Sequence, residues 1–131
     1  MILKLNEKIY DIATTLGTSY DIEQSKKSKI TKILEKSEDF TIKEMCDLMF
    51  FGLKRKDKSI DFNTFLNDVL DSGMSAVDLQ KEFSVFILLL ASTDKTEDEI
   101  RERFNESYKA NMEKIDEEYY SNEVVVENEK N

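Results

Sequence analysis

Proline is absent from all 131 residues of this chain, and glycine occurs only three times. Proline and glycine are the residues that most often interrupt helices, one by lacking an amide and the other by loosening the backbone. Long helical runs therefore meet few natural stops here. Hydrophobic residues make up 40% and charged residues 36%, a balance that supports a folded, mostly helical chain rather than disorder throughout. The length suits one domain with a modest core.

The helical pattern is clearest in the middle. Thr41 precedes "IKEMCDLMFFGLKR", and Glu44 follows three residues later. At that spacing a hydroxyl and a carboxylate reciprocally satisfy free amides at a helix start. Ile42, Met45, Cys46, Met49 and Leu53 then line a buried face, and Lys54, Arg55 and Lys56 fall in the last turn, where cations complement exposed carbonyls. "RKDKS" connects to a second amphipathic face of Phe62, Phe65, Leu66, Val69 and Leu70, which Gly73 closes. Ser75 and Asp78 repeat the capping relation ahead of "AVDLQKEFSVFILLLAST". This helix is apolar nearly all round over residues 83–91, so it is either central to the core or meets another chain.

The flanks are read from shorter patterns. In "ILKLNEKIYDI" residues 2–5 and 8–12 are β-prone runs around Asn6 and Glu7, which predicts a small hairpin. Residues 15–28 are weakly helical and interrupted by Gly17, with Leu16, Tyr20 and Ile22 roughly on one side. "KITKILEK" places Ile30, Ile33 and Leu34 on one helix face. A further helix restarts after a cap near Thr93 or Thr96, with Ile100, Phe104, Tyr108, Met112 and Ile115 at spacings of four and three. The expected fold class is α+β, mostly α: a short N-terminal β-hairpin followed by a bundle of about five helices. Residues 1–116 are expected to form a single domain, with 117–131 an acidic, flexible C-terminal tail.

Charge narrows the function classes. The formal net charge of −9 is uneven, with +2 on residues 1–58 and −11 on residues 59–131. The second half repels phosphates and attracts a basic protein partner, so nucleic-acid binding is not expected. The "MILKLNEK" start lacks the basic head and apolar body of a signal peptide, and the apolar run at 85–91 is too short to span a bilayer. No membrane association is expected, and the location expected is the cytoplasm.

Catalytic chemistry finds no footing. There is no histidine, which removes the usual triads and histidine metal ligands. Cys46 is the only cysteine, so no disulfide, thiolate cluster or CxxC pair exists, and it reads as a buried thiol rather than a nucleophile. Glu97, Asp98, Glu99, Glu102 and Glu106 read as a solvated face supporting Arg101 and Arg103. No phosphate-binding glycine motif is present. No enzyme activity, cofactor or metal is expected. Candidate partner-binding residues remain. Phe83, Phe86 and Leu90 are either plain core or a partner groove, and Tyr108, Tyr119 and Tyr120 serve either partner contact or local packing.

The "LKLNEKIYDI" start, "TLGTSYDIEQ", and "TIKEMCDLMFFGLKRKDKSIDFNTFLNDVLDSGMS" followed by a long helix resemble the small tail assembly chaperones of long-tailed phages and prophages of Gram-positive bacteria. The resemblance covers roughly residues 2–92, with "FFGLKR" and the acidic "DFNTFLNDVLDSGM" its most telling parts. It implies a non-enzymatic chaperone that binds the tape measure protein and promotes assembly of tail tube protein around it. It also implies a location in the host cytoplasm rather than the mature virion and a longer product made by ribosomal frameshifting, and it leaves monomer and homo-oligomer both open. Glu129, Lys130 and Asn131 are encoded by GAR-AAR-AAY, which permits a slippery A-AAA-AAY and is equally what an A/T-rich genome ending by chance in Lys-Asn gives. Two other readings stay open: an acidic regulatory or decoy protein that binds a basic host or phage protein, and, more remotely, a helical DNA-binding regulator using "KRKDK" at residues 54–58.

Overall fold

Alternation of apolar and polar residues makes the N-terminus a two-stranded antiparallel hairpin. β1 (Ile2–Leu5) pairs with β2 (Lys8–Asp11), Ile2 opposite Asp11 and Leu5 opposite Lys8. Leu3 and Leu5 turn into the core while Lys4 stays exposed. The two-residue turn closes because Asn6 adopts a φ of 55°, a left-handed conformation that asparagine tolerates better than most residues.

In this computed structural model residues 1–92, 94–107 and 109–110 are described. The chain divides into two units, Met1–Glu97 and Asp98–Asn131. The first is α+β and mostly α. Its hairpin leads to α1 (Leu16–Lys26), α2 (Ile30–Glu35), a single 3-10 turn at Ser37–Asp39, α3 (Ile42–Lys56), α4 (Phe62–Leu70) and α5 (Ala76–Ala91). In the second unit residues 98–107 are helical, with Ile100 buried and Phe104 half-buried. The expected acidic tail at 117–131 lies outside the described residues.

Both capping boxes form. Thr41 accepts from the Glu44 amide at 3.2 Å and the Glu44 carboxylate accepts from the Thr41 amide at 3.2 Å. Ser75 and Asp78 do the same at 3.1 and 3.3 Å. Such a cap contributes about 1 kcal/mol to the helix it starts. Asp61 caps α4 by accepting from the Thr64 amide at 3.1 Å. Between α4 and α5 the chain turns at Gly73, whose φ of 79° lies in the region that glycine enters without steric cost.

The core gathers around α3, which touches α1, α4, α5 and β2. Met45, Cys46, Leu48, Met49 and Leu53 are buried on it. Gly52 gives the closest approach. A Cβ there would lie 2.4 Å from the Ala13 carbonyl oxygen and 2.5 Å from Ile12 Cγ2, so only glycine lets α3 meet the chain leaving the hairpin. The Ala13 amide in turn donates to the Gly52 carbonyl at 3.0 Å. Aromatic pairs bind the other elements: Tyr10 meets Phe65 edge-on at 5.2 Å, Phe50 meets Phe62 at 5.3 Å, and Phe40 meets Phe83 at 5.7 Å.

Three helix faces differ from expectation. Ile42 stands 42% exposed, because the first residue of α3 projects beyond the neighbours that cover Met45 and Met49. Leu70 is 56% exposed at the end of α4, where Phe65 and Val69 alone are fully buried. On α1 the three apolar residues do not share a side: Ile22 is buried, whereas Leu16 and Tyr20 are 87% and 59% exposed. At 100° per residue, Ile22 lies about 240° round the helix from Leu16 and about 200° from Tyr20.

Candidate interaction surface

The exposed side of α1 begins with the pair Leu16 and Tyr20, one turn apart and therefore neighbours on the helix surface. Beside them, Gly17 and Asp21 form the adjoining ridge, and α3 reaches across it. Arg55 donates from Nε to Asp21 Oδ2 at 2.7 Å and from Nη2 to Asp21 Oδ1 at 3.2 Å. This two-pronged geometry fixes the guanidinium plane as a single bond would not. The hydrogen bonds that Arg55 donates to Asp21 raise its pKa further above its ordinary value, against a smaller opposing effect of burial, with the Asp21 charge adding to them.

Gly17 makes that placement possible. A Cβ at residue 17 would fall 2.4 Å from Arg55 Cζ and Nη1, so the guanidinium lies flat on the α1 backbone. Beyond it opens a shallow hollow of about 470 Å³, lined by Asp21, Phe51, Lys54, Arg55 and Lys58. Arginine and phenylalanine thus share this hollow with lysines at its rim, and the Arg55 guanidinium lies over Gly17, next in the chain to exposed Leu16. Aromatic and arginine anchors with a charged rim are the composition of binding hot spots, and the lysines select for carboxylates on whatever approaches.

A second groove, of about 400 Å³, runs between α2 and the start of α3. Ile33, Phe40 and Leu48 lie along it, with Lys32 and Lys36 beside them. Lys26 pairs with Asp47 at 2.5 Å at its edge. Glu35, Glu44 and Asp47 line the same groove, so its lysines and carboxylates balance, and the excess of cations lies in the hollow with Lys54, Arg55 and Lys58.

The residues singled out from sequence fare differently. Phe83 and Phe86 are fully buried, stacked on each other at 6.2 Å between ring centres, so in this fold both act as core. Leu90 is half-buried against the same core. Tyr108, Tyr119 and Tyr120 lie outside the residues whose side chains are described. Cys46 is fully buried, and burial pushes its thiol up to about 11, which keeps it protonated and unreactive at neutral pH. Among the described residues no group of three or more Cys, Asp or Glu side chains is arranged to hold a metal ion, and no helix is long and apolar enough to cross a membrane.

Leu16, Tyr20 and Arg55 were not picked out by periodicity as a surface. The signal existed in the spacing: an i, i+4 apolar pair set against Ile22 places two apolar directions on one short helix, and only one of them can face the core. Which one does so depends on where α3 lies. No family model, no curated protein and no solved structure matches this chain.

Proposed function

We propose that this chain is a non-enzymatic tail assembly chaperone of a long-tailed phage or prophage of Gram-positive bacteria, acting in the host cytoplasm by holding the tape measure protein while tail tube protein assembles around it. The observation that carries a holding role is the α1 surface. Leu16 and Tyr20 stand in solvent beside a fixed arginine, although the same helix buries Ile22. Exposed apolar side chains of this size, grouped and rimmed with charge, are what a protein-binding face requires. The specific partner rests on the resemblance of residues 2–92 alone.

The test is co-expression with a tape measure protein of a long-tailed phage of Gram-positive bacteria. A holding factor keeps that protein soluble and co-purifies with it. Replacing both Leu16 and Tyr20 by alanine is expected to abolish co-purification while shifting unfolding free energy by no more than about 0.5 kcal/mol, since both side chains are already exposed. Retention of the partner by the double variant would remove this surface from the mechanism.

The −11 charge of residues 59–131 favours one other reading, an acidic decoy for a basic host or phage protein. That binding is electrostatic and collapses between low and high salt, whereas contact through Leu16 and Tyr20 survives it.

A further inference from the structure

The hollow at the end of α3 holds positive charge that the fold leaves uncompensated. Phe51, Lys54 and Arg55 share one face of α3 at spacings of three and four, and Lys58 joins them from the turn that follows. The carboxylates of Asp21, Asp11 and Asp57 are already committed. Asp21 takes both bonds from Arg55, Asp11 pairs with Lys56 at 3.6 Å, and Asp57 accepts from the Ser59 amide and hydroxyl at 3.0 and 2.6 Å. Lys54 and Lys58 meet no carboxylate among the described residues. The negative end of the α3 dipole offsets about half of one charge, so an excess of cation remains.

The same hollow has an apolar wall that is fixed in place. Phe51 is half-buried against the core, and its ring, unlike that of Phe50 on Phe62, pairs with no other ring among the described residues. The Arg55 guanidinium is held by its two bonds to Asp21 and lies over Gly17. Walls that need no ordering on binding lose less affinity to entropy. On α1, Leu16 and Tyr20 stand in solvent, next in the chain to Gly17 and Asp21. Unpaired lysines beside an immobile aromatic ring suit a ligand that carries both negative charge and an apolar group, whereas a bare anion or an uncharged helix uses only one of the two.

We propose that this hollow binds a short acidic segment of a partner protein, with an apolar side chain seated on Phe51 and two neighbouring carboxylates on Lys54 and Lys58. Charge complementarity selects the carboxylates, and the free face of Phe51 selects the apolar anchor. The segment is short because the whole chain carries a net charge of −9, which repels a long polyanion everywhere but at the hollow. The same repulsion disfavours nucleic acid, whose phosphates would gain only these two lysines. This deepens the holding role proposed above and rests on it for the identity of the partner alone.

The probes are two synthetic peptides capped at both ends, Phe-Ser-Glu-Glu and its reverse, Glu-Glu-Ser-Phe, read by backbone amide shifts in the full chain. One of them is expected to bind at about 1 mM or below and to move the signals of Phe51, Lys54 and Lys58. Replacing both glutamates by glutamine, or the phenylalanine by alanine, is expected to weaken binding at least about fivefold. The same loss is expected with the double variant Lys54→Gln and Lys58→Gln, whose exposed positions leave the fold intact. No binding of either peptide at about 1 mM, equal binding of an altered peptide, equal binding by the double variant, or equal binding of a thymidine trinucleotide with the same two negative charges overturns the proposal. So does self-association that the double variant abolishes, which assigns the hollow to a second copy of this chain. Co-purification of a tape measure protein undiminished by the double variant also overturns it and leaves the chaperone reading standing. Peptide capture by a protein that holds no tape measure protein supports the hollow and sinks that reading.

Discussion

Gly17 lies so close beneath Arg55 that any side chain there must move the guanidinium. The atoms displaced are the far end of a flexible side chain, so the fold itself is not forced apart. Gly17→Ala also gains helix propensity of up to about 1 kcal/mol, which offsets the loss of a half-exposed ion pair. The expected outcome is a protein as stable as the parent within about 1 kcal/mol by denaturant titration, yet with weakened partner binding because Arg55 has left its place. Loss of stability without loss of binding would show that the arginine clamp is structural. Tyr10 supplies a second test. Burial pushes its hydroxyl up to about 12, aided by the hydrogen bond donated to Asp68 and by the charge of Asp68. A raised pKa means the folded protein holds this proton more tightly than the unfolded chain. The stability it contributes is therefore present below about 10 and is lost as pH rises towards about 12. Tyrosinate absorbance is expected to show a step near 12 that is missing in Tyr10→Phe. Asp68 shifts the other way, lowered first by the Tyr10 hydrogen bond and then by that of Lys8, so its share is lost only in acid, as pH falls below the usual carboxylate range.

α5 combines a local cap with a buried inner face. Its cap is local: Ser75→Ala removes the acceptor for the Asp78 amide and is expected to lower unfolding free energy by about 1 kcal/mol without altering the fold. Its inner face is tertiary. Phe86 is fully buried and stacks on Phe83, which in turn meets Phe40. Phe86→Ala is expected to cost about 3–5 kcal/mol in a thermal or denaturant melt, and Phe86→Asp to leave the unit unfolded, since nothing neighbouring pairs a carboxylate in that core. A melt of Phe86→Ala unchanged from the parent would contradict the buried placement.

For the molecule as a whole, charge and apolar exposure together define its behaviour. Residues 1–58 carry a net charge of +2, with Lys54, Arg55 and Lys58 around one hollow at the end of α3, while the negative charge lies later in the chain. Apolar and cationic chemistry therefore coexist in Met1–Glu97: exposed Leu16 and Tyr20 on α1, and the hollow of Phe51, Lys54 and Lys58. Salt separates both from any purely electrostatic contact, because both retain an uncharged component when screened.

Much of this was legible before any coordinates. The two capping boxes at Thr41 and Ser75, the Asn6–Glu7 hairpin and the basic last turn of α3 are short-range features, set by residues within four positions of one another, and they appear where the spacing puts them. The class of fold follows from them. The sides on which the helices face one another do not. Leu16, Tyr20 and Ile22 are all apolar, and local periodicity has no means of choosing between two directions on a helix of eleven residues. The choice was made by α3, which buries Ile22, lays Arg55 over Gly17 and leaves Leu16 and Tyr20 to solvent. The same holds for Phe83 and Phe86, whose hydrophobicity suits a core and a partner groove equally well. Sequence by itself determined which segments are helix or strand, because hydrogen bonds and caps are local; tertiary structure alone decided which apolar surface remained for a partner, because burial is a relation between elements far apart in the chain.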